Sequence, residues 1–167
     1  MVSTLKWGQP KSYTFWLVEG LATLFSPETL DCDGHTFEER YVYFLQSGKL
    51  LATDSTENVN FIRDVDSMAQ IETDSLQVDS QVSENNATHE ILDKIYWSQT
   101  AYIVGYLLDN YGIEKYKQLW QIGVSHFNEI YGISFDELMQ TINDGLNKRY
   151  PDPIDFNWAK LKERCMK

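Results

Sequence analysis

The sequence predicts an all-α protein: one orthogonal helical domain of about six helices over residues 1–167, interrupted by an acidic, mobile insertion at 52–87. Three observations lead there. Apolar residues recur every three or four positions on both sides of the insertion. The periodic segments stop at Ser-Pro or at Gly, residues that end helices. Strand-like alternation is confined to one weak run, Leu76-Val78-Ser80-Val82.

The first helix is expected from Ser12 to Phe25, dense in apolar residues and stopped by Ser26-Pro27. The second, Thr36 to Gln46, puts Phe37, Tyr41, Phe44 and Leu45 on one stripe, with Gly48 just past its end. A long helix starts near Thr88, carries Ile95, Tyr102, Ile103, Tyr106 and Leu107, and closes at Asn110-Tyr111-Gly112. Glu114 to Tyr131 is the next, closed by Gly132. Ser134 followed three residues later by Glu137 is a capping box, in which each residue satisfies the other's backbone N–H. It opens a helix that runs to Pro151, and Asp155 can cap a last one carrying Phe156, Trp158 and Leu161. Tyr-Gly-Ile recurs at 111–113 and 131–133, but as a turn device, because the flanking residues do not match.

Length and composition, 167 residues with 43% apolar and 23% charged, suit a single domain with its own core. Aromatics reach 14%, with five Trp and ten Tyr, which supplies large core and contact surfaces. The net charge of −11 argues against nucleic acid or an anionic membrane as partner, since either needs a basic face. The imbalance is local. Residues 52–90 hold nine acids against Arg63 alone, which is −8 of the −11, and their one aromatic is Phe61. Such a stretch buries too little apolar surface to offset the entropy of ordering it. A solvated loop is expected, with one short helix through Ile62, Val65, Met68 and Ile71; an acidic arm for a basic partner is the functional alternative.

Cys32 and Cys165 are too few for a disulfide framework and wrongly spaced for a zinc knuckle, so two free thiols are expected rather than a bridge. No apolar run approaches the roughly 20 residues of a membrane span, and residues 1–10 have no hydrophobic signal core. As written the chain reads as cytoplasmic; a natural N-terminus further upstream would reopen an extracytoplasmic location.

Candidate chemistry is sparse. His89-Glu90-Ile91-Leu92-Asp93 begins like a zincin motif, in which two imidazoles one turn apart face one metal, but has Asp at the fifth position. His35 with Glu38 and Glu39, and His126 with Glu129, read as surface or satisfied core groups. No nucleophile elbow or Gly-rich phosphate loop occurs. The segment Trp16-Leu17-Val18-Glu19-Gly20-Leu21-Ala22 says more. A carboxylate amid apolar residues needs a partner. A helix-interior Gly costs about 1 kcal/mol against Ala, so Gly20 marks either close approach of another element or a tolerated packing choice.

Trp-Leu-x-Glu-Gly-x-Ala, with all five fixed positions present, resembles the segment that carries the third zinc ligand in gluzincins (peptidase MA-like), the His-Glu-x-x-His metallopeptidases whose third protein ligand is a Glu on a following helix. The run from Tyr96 to Leu107, then Asp109-Asn110-Tyr111-Gly112, is similar to that family's later helix. Phe127…Tyr131-Gly132-Ile133-Ser134…Glu137-Leu138 resembles its next turn. Together these cover roughly residues 10–150, the acidic stretch excepted. The resemblance implies Zn²⁺ in the full-length protein, with Glu19 as a ligand and Trp16, Gly20 and Ala22 placing it against the metal-binding helix. It also implies a Tyr that donates a hydrogen bond to the oxyanion. Tyr96 matches that position by type, whereas Trp97 matches by distance to Leu107.

The departure is large: eighteen residues precede Glu19, and none is His. Without two imidazoles and a general base, a lone Glu does not hold Zn²⁺. The chain is therefore expected to bind no zinc and cleave no peptide by itself. It would need an N-terminal catalytic segment as partner, with a peptide or protein as substrate in the full-length form. A pseudoenzyme that lost its catalytic half fits equally. A different class, the non-catalytic helical interaction domain, is motivated by the incomplete site, the aromatic excess and the acidic stretch.

Overall fold

The computed structural model describes residues 7–11, 14–26, 34–51 and 81–156. Among these the chain is all-helical, as expected, with no strand. The elements are α1 (Phe15–Leu24), α2 (Phe37–Gln46), α3 (Gln81–Tyr111) and α4 (Ile113–Ile122). A 3₁₀ turn (Val124–His126), α5 (Phe127–Tyr131) and α6 (Phe135–Arg149) follow. No described helix is long and apolar enough to cross a membrane.

The capping box at Ser134 and Glu137 opens α6, and an equivalent one at Thr36 and Glu39 opens α2. Two boundaries differ from expectation. First, α3 starts at Gln81, not near Thr88. Its first turns are polar, and apolar periodicity cannot detect them. A helix already nucleated extends through such residues cheaply, because propagation adds one hydrogen bond per residue fixed. Val82 is therefore helical and does not end a strand, while the rest of that weak run, the short helix at 62–71 and both cysteines lie outside the described residues. Second, the helix expected over 114–131 is broken at Gly123, whose φ of 100° and ψ of 160° are open to glycine but strained for other residues. Val124, Phe127 and Tyr131 stay buried beyond the break, so the apolar stripe continues and hides it. The segment around Asp155 is non-helical as far as residue 156; the helix expected to follow lies outside the described residues.

Helix α3 is the spine. Its Ile103, Val104 and Leu107 are fully buried, and both α1 and α2 pack along it. The α1 contact is the tightest: a Cβ added at Gly20 would lie 2.7 Å from the Thr100 carbonyl oxygen and 2.7 Å from Val104 Cγ2. Gly20 thus marks close approach by another helix, one of the two readings that the sequence left open. The buried Tyr116 hydroxyl of α4 donates to the Leu17 carbonyl of α1 at 2.6 Å. The buried Gln99 amide of α3 holds the backbone of Leu51 from both sides, accepting from its N–H at 3.0 Å and donating to its carbonyl at 2.8 Å.

Gly20→Ala drives a methyl group into a backbone carbonyl and should destabilise the fold by about 2 kcal/mol. Gly145→Ala, helical and with nothing within 4 Å of an added Cβ, should stabilise it by up to about 1 kcal/mol. Chemical denaturation of the two variants checks the contrast. Burial raises the hydroxyls of Tyr41, Tyr102, Tyr116 and Tyr131 well above the ordinary value of 10. Groups whose folded value is raised stabilise fully below the unfolded value and lose that contribution as pH climbs. These four should therefore stay protonated past pH 10 until the fold opens, giving a cooperative rise in phenolate absorbance coincident with loss of helical circular dichroism.

Candidate functional site

On α1, Trp16, Leu17, Gly20 and Leu21 turn inward, while Val18 and Glu19 are half-buried and Ala22 is exposed. Phe25, just past the helix end, is 68% exposed. Ala22 and Phe25, three residues apart, share one outward stripe, with Glu19 beside it, while Val18 one turn earlier packs in part against the core. The resemblance assigns Trp16, Gly20 and Ala22 to set Glu19 against a metal-binding helix. In the structure two of the three are occupied within this chain. Trp16, 2% exposed, stacks on Phe135 of α6 with ring centroids 5.1 Å apart, and Gly20 receives α3. Only Ala22 remains outward. Thr14 Oγ1 and Trp16 Nε1, at the start of α1, are buried with no hydrogen-bond partner among the described residues.

Tyr96, on α3, is 4% exposed and belongs to the core, and its hydroxyl has no contact with solvent. Trp97 is half-buried, with the Lys94 ammonium 5.3 Å from its ring centroid. Among the described residues no three His, Cys, Asp or Glu side chains converge in a way that could hold a metal ion. His126 Nδ1 pairs with Glu129 Oε2 at 2.9 Å on the surface. The His35 ring lies 4.9 Å from that of Phe156, and its Nδ1 is 3.9 Å from Glu39 Oε2. His89 lies on a part of α3 where only the backbone is described.

The most developed polar cluster is one that the sequence did not reveal. Glu38, in the first turn of α2, accepts from Arg149 Nη1 at 2.7 Å and from the Tyr150 hydroxyl at 2.7 Å, both at Oε1. The Tyr102 hydroxyl donates to its Oε2 at 3.3 Å. Desolvation opposes ionisation of Glu38, but the Tyr150 and Arg149 bonds outweigh it and hold its carboxyl below the ordinary 4.5. Beside it Tyr41, fully buried and 4.8 Å from the Tyr102 ring, donates to Asn143 Oδ1 at 2.9 Å. Glu38, Tyr102 and Arg149 border a cleft of about 520 Å³ between α3 and α6, which Leu24 and Phe37 also line. Glu38 is 64 residues from Tyr102 and 111 from Arg149, so no local spacing could join them. Tyr102 combines a half-buried ring with a polar contact.

A carboxyl held below its unfolded value stabilises above that value, and the contribution is lost as pH falls through the folded one. Melting temperature should therefore fall on acidification below about pH 5. Glu38→Gln should cost about 1 kcal/mol at pH 7, modest because the cluster is partly exposed, and should flatten the acid slope. The slope that remains should include Glu137, held down by its bonds to Ser134.

Comparison with protein-family models, curated proteins and solved structures finds no match to this chain.

Proposed function

We propose that this chain is the helical C-terminal portion of a gluzincin-like zinc metallopeptidase, with Glu19 as the third zinc ligand and no peptidase activity of its own. The observation that carries the reading is how α1 presents Glu19. The helix is held from behind by α3 at Gly20, and Glu19 sits half-buried beside an outward apolar stripe of Ala22 and Phe25. A carboxylate at such an edge suits a partner helix that covers the stripe and brings the remaining ligands. The described residues do not by themselves fit a zinc ion, since they offer one carboxylate where about four ligands are needed. The imidazoles and the base must come from a His-Glu-x-x-His segment preceding residue 1 in a longer chain. Tyr96 is the proposed oxyanion donor by type, and its burial means that it would have to become accessible in the assembled protein.

The first measurement is the in-frame coding sequence upstream of Met1. A His-Glu-x-x-His helix there supports the reading, and a stop codon with no such motif overturns it. Zinc uptake then tests the ligand. The 167-residue chain should take up no stoichiometric Zn²⁺, whereas the extended chain should take up one equivalent. Glu19→Ala in the extended chain should weaken uptake by about 100-fold or more, beyond what loss of an outer-shell partner costs. Failure of both tests would leave the helical interaction domain, for which the exposed Phe25 is the natural contact residue.

A further inference from the structure

The cleft between α3 and α6 contains two helix-interior glycines, Gly105 and Gly145, that neither backbone nor packing requires. Neither has a positive φ. A Cβ at Gly145 would meet nothing within 4 Å, and one at Gly105 would make only ordinary contact with Leu24, at 3.5 and 3.8 Å. Each costs about 1 kcal/mol of helix stability relative to Ala. What the two have in common is the space they leave open above Leu24 and Ile142.

The polar groups around that space are arranged by charge and by hydrogen-bonding sense. At one end Arg149, its side chain 62% exposed, makes one ion pair among the described residues, to Glu38. A guanidinium has five N–H donors, so it retains donors for a second carboxylate. Asp109, exposed on the cleft wall, lies seven residues along α3 from Tyr102, about 10 Å at 1.5 Å per residue. Asn110 and Thr141, also lining the cleft, turn their donors back onto their own helices. Asn110 Nδ2 donates to the Tyr106 carbonyl at 2.9 Å and Thr141 Oγ1 to the Glu137 carbonyl at 2.7 Å. Thr141, its one donor used, is left as an acceptor, and Asn110 keeps its carbonyl oxygen and a second N–H, a set that suits peptide N–H and carbonyl groups.

We propose that this cleft binds a short peptide with free termini, its C-terminal carboxylate on Arg149 and its N-terminal ammonium on Asp109. The Tyr102 hydroxyl and the Arg149 guanidinium meet on Glu38. The rise of about 10 Å along α3 from Tyr102 to Asp109 therefore sets the scale of the gap, about three extended residues, and the volume lies within the range of small-ligand sites. The backbone of the peptide crosses the gap above the glycines, and the apolar floor takes its side chains. Nothing in this rests on zinc or on Glu19.

The test is calorimetric titration of the 167-residue chain with trialanine, N-acetyl-trialanine and trialanine amide. Trialanine should bind saturably, and each blocked peptide should bind at least about tenfold more weakly, as loss of one charged contact implies. Asp109→Asn should weaken trialanine to the level of the acetylated peptide without weakening the acetylated peptide further. Gly145→Leu should abolish binding while leaving the melting temperature unchanged or raised, which separates filling of the cleft from loss of the fold. No saturable binding up to about 10 mM, a blocked peptide that binds as tightly as the free one, or trialanine binding unmoved by Gly145→Leu would each overturn the proposal.

Discussion

The contact on which the rest of the arrangement depends is the backbone approach of α1 to α3 at Gly20. Only a residue without a side chain lets the Thr100 carbonyl and the Val104 methyl come as near as they do. That nearness turns Trp16, Leu17 and Leu21 inward against the spine and leaves Ala22 and Phe25 facing away. The buried Thr100 hydroxyl at this crossing is satisfied within its own helix, donating to the Tyr96 carbonyl at 2.9 Å. The other helices then pack around this fixed pair.

Three of the long-range braces of the bundle are neutral. Tyr116 reaches the Leu17 carbonyl, Tyr41 reaches Asn143, and Gln99 holds Leu51. A buried ion pair can lose more by desolvation than it gains by attraction, whereas a satisfied hydroxyl or amide avoids the full penalty of burying a charge. The Glu38–Arg149 pair is consistent with this, since it lies at the half-open edge of the cleft, where water still solvates the guanidinium. Gln46 works in the same neutral way at the end of α2. Its amide donates to the carbonyls of Tyr150 and Asp152 and accepts from Ile154 N–H, fastening the chain that leaves α6.

Local chemistry was readable in the sequence; long-range convergence was not. The box at Ser134 and Glu137 and the glycine ends at Gly112 and Gly132 could be inferred, because each depends on neighbours within one or two turns, whereas close approach at Gly20 was one of two readings, since its partners Thr100 and Val104 lie far along the chain. The early start of α3 was hidden because Gln81 and its neighbours carry no apolar stripe. The break at Gly123 was hidden because Val124, Phe127 and Tyr131 continue one. Of the candidate site, the position of Glu19 on its helix could be inferred, but not that Trp16 and Gly20 would face this chain's own core. The Glu38 cluster had no local signature at all. The nearest thing to one was the pair of glycines in strong helical runs, Gly105 and Gly145, which reads as chance until both are seen to line one cleft.

The two bonds between Gln99 and Leu51 have an evolutionary consequence. Because a single side chain engages both the N–H and the carbonyl of Leu51, the backbone at the end of the segment that follows α2 is fixed by α3 itself. Leu51 therefore keeps its place whatever the sequence that comes next, which makes the position after it a natural point for the acquisition of a new module.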